Sequence, residues 1–328
     1  MTIGIAVCGP GAGRAAFRAL AAVERVARGA IGGFASFVVI TRDGRLLRAE
    51  TQRGGTSTLF TAGEKTGIEP PDLYAEAPFA ALMSSGPNRP APLSQFTPGR
   101  ADVGLVTGHR LPNMPGVDGL PINQVVLERM ARGESAAEAA QAELERNPDA
   151  DAGIITLDLQ GNLFAGNAAF VAARPDLGRA VLHESSIAAA VAVLHNSIHP
   201  HSPLAELAAS IALDTMAPPD RADLRVRLAA GIPVELGAEN CVFVDEANVA
   251  ELITVTQPSL LEGRRDGAVV NFSAAVHRRG ELLGHATEEP YGVVEAGHVV
   301  SFSGSDCVEL GVRSSVQRVL NNRGTRGN

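Results

Sequence analysis

The chain has 328 residues, 45% hydrophobic and 20% charged, with a formal net charge of -8; that balance belongs to a globular protein with a sizeable core and excludes a disordered chain. The negative charge argues against a nucleic-acid or anionic-membrane surface as the main partner, and no uncharged apolar run reaches the roughly 18 residues of a spanning helix. Cys8, Cys241 and Cys307 are scattered without a CxxC pair, so neither a disulfide framework nor a zinc site is expected.

Residues 2–8, TIGIAVC, read as a buried strand, followed by a glycine turn over Gly9 to Gly13. Arg14 to Arg28 is expected as a helix, with Phe17, Leu20, Val23 and Val26 at helical spacing and Gly29 as its stop. The run GPGAG between strand and helix invites a phosphate-cradle reading. Pro10 lacks an N–H, however, and neither GxGxxG nor GK[ST] is present, so nucleotide binding is rejected. FASFVVITRDGRLLRAET is a hairpin turning at Asp43-Gly44. Residues 61–100 are rich in Pro, Gly and Ser and read as a long surface excursion that shapes a pocket mouth.

Two helices are expected from Ile122, INQVVLERMARG and ESAAEAAQAELERN, the second opened by a capping box of Ser135 and Glu138. AGIITLDLQGNLFAGN forms a second hairpin. Residues 172–218 read as an Ala-rich pair of helices with Pro and His between them, and residues 219–328 as mixed α/β. Within LHNSIHPH, the spacing of His195 and His199 suits a metal on a helix face. Pro200 breaks that helix and no carboxylate joins the pair, so His195, His199 and His201 read as helix-end histidines. A third hairpin-like run, NFSAAVHRRGELLGHAT, aligns with the other two on Gly44, Gly161 and Gly280. Either a helix-plus-hairpin unit repeats, or three hairpins have converged on one turn chemistry.

VGLVTGH, the helix pair containing RGESAAEAA, and GIITLDLQGNLFAGN resemble, in that order, the N-terminal-nucleophile (Ntn) hydrolases, especially their isoaspartyl peptidase and asparaginase branch; proteasome subunits share the looser pattern. VITRDGRLLRAETQRGG looks like the hairpin that carries the nucleophile in that branch, and IAVCGPGAG like its first strand and turn. The resemblance implies an αββα sandwich and amide hydrolysis by an N-terminal Thr, Ser or Cys. The expected fold is therefore an Ntn-hydrolase-like αββα sandwich over residues 1–174, with an additional C-terminal α/β lobe over residues 175–328.

The nucleophile position departs from the family. Counted back from Gly44, it falls at Phe34 or Ala35, neither of which attacks a carbonyl. Three catalytic candidates remain. Cleavage after Met1 would give Thr2 a free α-amine, whose pKa near 8 suits it to take the hydroxyl proton. Ser36 sits one or two residues deep in the strand, and Thr56 follows the flexible pair Gly54-Gly55, where a Gly-Thr bond invites autocatalytic cutting. Carried over from the family, Thr107 and Gly108, with His109 beside them, would contact substrate and stabilise the oxyanion. Arg100 would hold a substrate carboxylate, with Asp102 nearby for an amine. These residues predict a cytoplasmic, homo-oligomeric amidohydrolase for a small or cyclic amide, with no metal or organic cofactor. The alternative is a catalytically silent relative that binds a small carboxylate or serves as an assembly subunit.

Overall fold

In the computed structural model, which describes residues 1–218 and 224–314, the chain divides into two compact units, Met1–Met216 and a second beginning at Ala217. The expected division at 174/175 is corrected, because the sheet of the first unit is completed by strands that lie beyond residue 175.

The first unit opens with β1 (Thr2–Cys8), α1 (Ala12–Val26) and the hairpin β2 (Ala35–Ile40) and β3 (Leu46–Thr51). A short α2 (Thr56–Leu59), the small hairpin β4 (Thr61–Ala62) and β5 (Lys65–Thr66), and α3 (Asp72–Ala75) lead to β6 (Phe79–Ser85). Then come β7 (Gly99–Arg100), β8 (Gly104–Arg110), α4 (Ile122–Ala131), α5 (Ala136–Arg146), β9 (Ala152–Asp158), β10 (Leu163–Asn167) and α6 (Ala169–Ala172). The unit closes with β11 (Leu177–Glu184), β12 (Ala189–Asn196) and α7 (His201–Met216).

Six strands form one antiparallel sheet in the order β11-β12-β1-β6-β2-β3, and four form a second, β10-β9-β8-β7. Every residue of β1 is buried, as a central strand covered on both faces requires. Alternation divides it: Ile3, Ile5 and Val7 join the core under α1 and α7, while Ala6 and Cys8 join the core shared with Leu105, Ile155 and Leu157 of the second sheet. A third core lies between that sheet and the helices α4 and α5, built on Val106, Val126, Leu127 and Ile154. A glycine lets the two sheets approach unusually closely, since a Cβ on Gly4 would lie 2.2 Å from the Gly108 carbonyl oxygen; within the second sheet, a Cβ on Gly108 would lie 1.9 Å from the carbonyl oxygen of Gly153 on the neighbouring strand. Gly13 of the GPGAG turn plays a similar part, since a Cβ there would meet the Tyr74 carbonyl oxygen at 1.8 Å. The turn therefore serves close chain packing.

The second unit is built from strands. β13 (Leu224–Ala229), β14 (Val234–Leu236), β15 (Cys241–Val244), β16 (Ala250–Val255), β17 (Arg264–Ala268), β18 (Ala275–Arg278), β19 (Glu281–Ala286), β20 (Tyr291–Glu295), β21 (His298–Ser301) and β22 (Cys307–Ser314) follow one another. They make a seven-stranded sheet, β13-β22-β19-β18-β15-β16-β14, and a three-stranded sheet, β17-β20-β21. Val226, Leu228, Val242, Val276 and Leu310 fill their core.

The expected αββα Ntn-hydrolase-like sandwich with a C-terminal α/β lobe is overturned. Strand accounts for 41% of the described residues against 24% helix, in several antiparallel sheets with a curled half-barrel, so the described protein is mostly β. Three segments carry the difference. Residues 61–100, read as an excursion, supply the sheet-interior strand β6. The Ala-rich run at 189–196 is a strand with all eight residues buried, where small side chains let neighbouring layers approach; its unbroken apolarity hides the strand period. Beyond residue 223 the described residues form no α-helix at all.

The expected helices over INQVVLERMA and AAEAAQAELER form, and Ser135 with Glu138 makes a capping box. All three hairpins form with positive φ at Gly44, Gly161 and Gly280. The third stands among strands alone, with no helix beside it in sequence, which favours convergent turns over a repeated unit.

Candidate active site

Thr2 begins β1, and its neighbours in the sheet are Asn196 at the end of β12 and Ser85 at the end of β6. Alternation points Thr2 and Asn196 to the face shared with the second sheet, where β8 ends at Arg110. Four strand ends therefore meet at one edge of the space between the sheets.

Thr2 is only 4% exposed, and its hydroxyl is fully engaged: it donates to Asn196 Oδ1 at 2.7 Å and accepts the Arg110 backbone N–H. Asn196 Nδ2 donates to Ser197 Oγ at 3.0 Å, and the Ser197 hydroxyl donates to Asp176. Arg174 clamps that carboxylate with two bonds, Nε at 2.9 Å and Nη2 at 2.7 Å. The Arg174 fork, together with the Ser197 hydroxyl, holds the Asp176 carboxyl well below the usual carboxylate range. Arg110 pairs with Asp151. Arg110 and Ser197 both adopt left-handed backbone, at φ 63 and 56. That conformation costs non-glycine residues free energy and tends to gather where structure serves function.

On the other side of Thr2, Ser85 Oγ donates to the Met1 carbonyl oxygen at 2.7 Å, and Arg89 Nη2 donates to Ser85 Oγ. Arg89 Nε is buried without a hydrogen-bond partner. The Met1 thioether accepts the Ala30 backbone N–H at 3.0 Å. Burial, then the charges of Arg89 and Arg110, push the Met1 α-amine below its ordinary pKa.

His109, one residue before Arg110, is wholly buried, and its Nε2 donates to Asn167 Oδ1 at 2.7 Å. Its Nδ1 has no partner, and burial lowers its pKa to about 4, so the ring is neutral. His195 is likewise buried, donates from Nε2 to the His201 carbonyl oxygen at 2.7 Å, and has its pKa lowered to about 4 by burial. His199 and His201 lie against each other with ring centroids 4.1 Å apart and planes tilted by 37°. No cluster of metal-ligating side chains occurs among the described residues.

The other candidates lie apart from Thr2 or are spent elsewhere. Ser36 is buried within β2, where its hydroxyl shares a 2.7 Å bond with Thr97 Oγ1. Thr56 starts α2 and gives both its N–H and its hydroxyl to Glu24, whose carboxyl is raised above its ordinary pKa by burial. Gly54 and Gly55 form the turn before it, Gly55 N–H donating to the Gly33 carbonyl oxygen at 2.9 Å. The Thr107 hydroxyl donates to the Leu82 carbonyl oxygen at 2.9 Å within the core, and Gly108 abuts Gly4 and Gly153, so neither faces an open site. Arg100 and Asp102 pair with each other on the surface, where Asp102 borders an acidic cleft with Glu134, Glu138 and Asp158. They stand at the opposite end of β8 from Arg110, roughly 20 Å away at about 3.3 Å per residue.

Sequence reading misses Ser85, Arg89, Asp176, Asn196 and Ser197. The available signal is polar residues ending long buried runs: SS after FAALM, and HNS after AAVAVL.

No curated protein matches the chain, and no helix among the described residues is long and apolar enough to cross a membrane. Residues 231–307 match a family described as Domain of unknown function (DUF7259). Residues 2–225, more than half of the chain, match a second family, and the protein belongs to it: Domain of unknown function (DUF6963).

Proposed function

We propose that the protein is an amidohydrolase whose nucleophile is Thr2, activated by cleavage of the Met1–Thr2 bond. The observation that carries this reading is the setting of Thr2. It starts a sheet-interior strand at the edge of the space between two sheets, its hydroxyl is fixed by Asn196 and the Arg110 N–H, and a carbonyl group already sits beside it on the Ser85 hydroxyl. That carbonyl is Met1's own, and its place is the one an acyl group of substrate takes after the cut.

The freed α-amine of Thr2 is the base. It takes the proton of the Thr2 hydroxyl, and Thr2 Oγ1 bonds to the substrate carbonyl carbon. The carbonyl oxygen takes up the electron pair and is stabilised by the Ser85 hydroxyl, itself oriented by Arg89 Nη2. Collapse expels the amine, which leaves with the proton carried by the Thr2 ammonium. Water, deprotonated by the same amine, then cleaves the ester and restores Thr2. Cys8 and Cys241, both buried free thiols, agree with a reducing, cytoplasmic setting.

The test compares amide hydrolysis by chains released from a cleavable fusion with residue 2 as their first residue. Thr2→Ala is expected to lower turnover by at least a thousandfold, while Ser36→Ala and Thr56→Ala retain it. Full activity in Thr2→Ala would overturn the proposal and leave the silent, carboxylate-binding reading.

A further inference from the structure

Resting on Thr2 as the nucleophile, we infer that cutting the Met1–Thr2 bond uncovers an anion pocket in which Arg89 and the Ala30 N–H hold a carboxylate of the substrate, so that the protein selects acidic amides over neutral ones. Three observations converge. Arg89 lies beside the scissile position: its Nη2 is on Ser85 Oγ, which in turn holds the Met1 carbonyl oxygen. Its Nε is buried with no acceptor, and no ion pair of the described residues includes Arg89. A buried guanidinium donor without a carboxylate is unfavourable unless something arrives to accept its hydrogen bond.

Secondly, Met1 occupies the space such a group would take. Its thioether, a weak acceptor, sits on the Ala30 N–H at 3.0 Å. Gly29 makes room for it, since a Cβ there would lie 2.7 Å from the Met1 sulfur. Removing Met1 frees the exposed Ala30 N–H of its sulfur acceptor, while Arg89 Nε is a buried donor that has none. Thirdly, the local charge is positive. Arg89, Arg110 and Arg174 lie around the Met1 amine against two carboxylates, Asp176, which Arg174 and Ser197 already occupy, and Asp151, which pairs with Arg110, so Arg89 is the arginine left without a counter-charge. This setting disfavours the Met1 ammonium and suits an anion in its place.

The experiment measures binding by titration calorimetry, using succinamate, which carries one carboxylate and one amide, and its neutral counterpart succinamide. Full-length chains are released with either Met1 or residue 2 first. The second, trimmed chain carries Thr2→Ala, so that binding is read without turnover. This trimmed Thr2→Ala chain is expected to bind succinamate at least tenfold more tightly than succinamide, and at least tenfold more tightly than the Met1-first chain does. Adding Arg89→Gln to it should lower the preference for succinamate over succinamide about tenfold.

Equal affinity for the two ligands, or for the two chains, overturns the anion pocket. If the Arg89→Gln chain does not fold, the comparison of ligands on the trimmed chain that keeps Arg89 decides. The two proposals fail separately. Undiminished hydrolysis by the trimmed Thr2→Ala chain removes Thr2 as nucleophile while the binding result stands. Thr2-dependent hydrolysis that ignores substrate charge removes the pocket alone.

Discussion

Replacing Thr2 by valine on the chain that retains Met1 tests the geometry of the site through stability. Valine has nearly the shape of threonine, so the change makes no cavity; it deletes one hydroxyl that joins Asn196 Oδ1 to the Arg110 N–H. Both partners are left in a region where Thr2 is 4% and Asn196 2% exposed, so water does not readily replace the lost bonds. At roughly 1–3 kcal/mol for each buried group left unpaired, and with some return from the more apolar side chain, the expected cost is about 2–4 kcal/mol. For a unit of this size each kcal/mol moves the midpoint by about 2–4 °C, giving a loss of roughly 5–15 °C. Urea unfolding at pH 7.5 measures it, with Thr2→Ser as the control. Serine keeps both bonds and loses one methyl group, worth about 1 kcal/mol. If valine unfolds within about 0.5 kcal/mol of the parent, or if serine is the less stable of the two, the hydroxyl is not held as described.

Two further outcomes follow from burial. His109 and His195 have pKa values lowered to about 4, so as pH falls below the ordinary value of about 6.5 the unfolded chain binds protons that the native state refuses. Stability is full above about pH 6.5 and falls toward pH 4, by an amount approaching about 3 kcal/mol for each ring. Urea midpoints between pH 7.5 and 5 check the sign, and a flat profile would contradict neutral buried rings. Gly4→Ala places a methyl 2.2 Å from the Gly108 carbonyl oxygen of the facing sheet, and since backbone must move to admit it, a loss of about 2–3 kcal/mol is expected. Thermal unfolding reads this directly, and an unchanged midpoint would mean that the sheets are not pressed together there.

Local chemistry writes much of the secondary structure into the sequence. Gly44, Gly161 and Gly280 each follow a polar turn between apolar runs, and all three hairpins form because only a glycine takes positive φ there without cost. Ser135 with Glu138 marks a helix start because the two side chains satisfy backbone donors three residues apart. The first strand and helix are similarly legible from their apolar periods, and Thr2 is among the residues that sequence alone singles out. Where burial is two-sided, period disappears. The run AAVAVLHN has no polar face to betray a strand, and β6 lies inside a stretch whose Pro and Gly dominate its composition. Those two strands flank β1, so losing them means losing the neighbours of Thr2.

The site itself is decided by tertiary structure. Ser85, Arg110 and Asn196 are far apart in the chain, and only antiparallel pairing of β6 and β12 with β1, and the facing end of β8, brings their strand ends to Thr2. Family resemblance places the binding groups at Thr107 and Gly108, and the structure spends both on joining layers: one hydroxyl on a core carbonyl of the first sheet, one backbone carbonyl against which Gly4 of that sheet packs. Sequence determined where the chain turns and which residues seek burial, because those depend on the residue and its near neighbours. Which polar strand ends meet, and whether a hydroxyl is free or engaged, depended on pairing across the fold, and no local pattern encodes that.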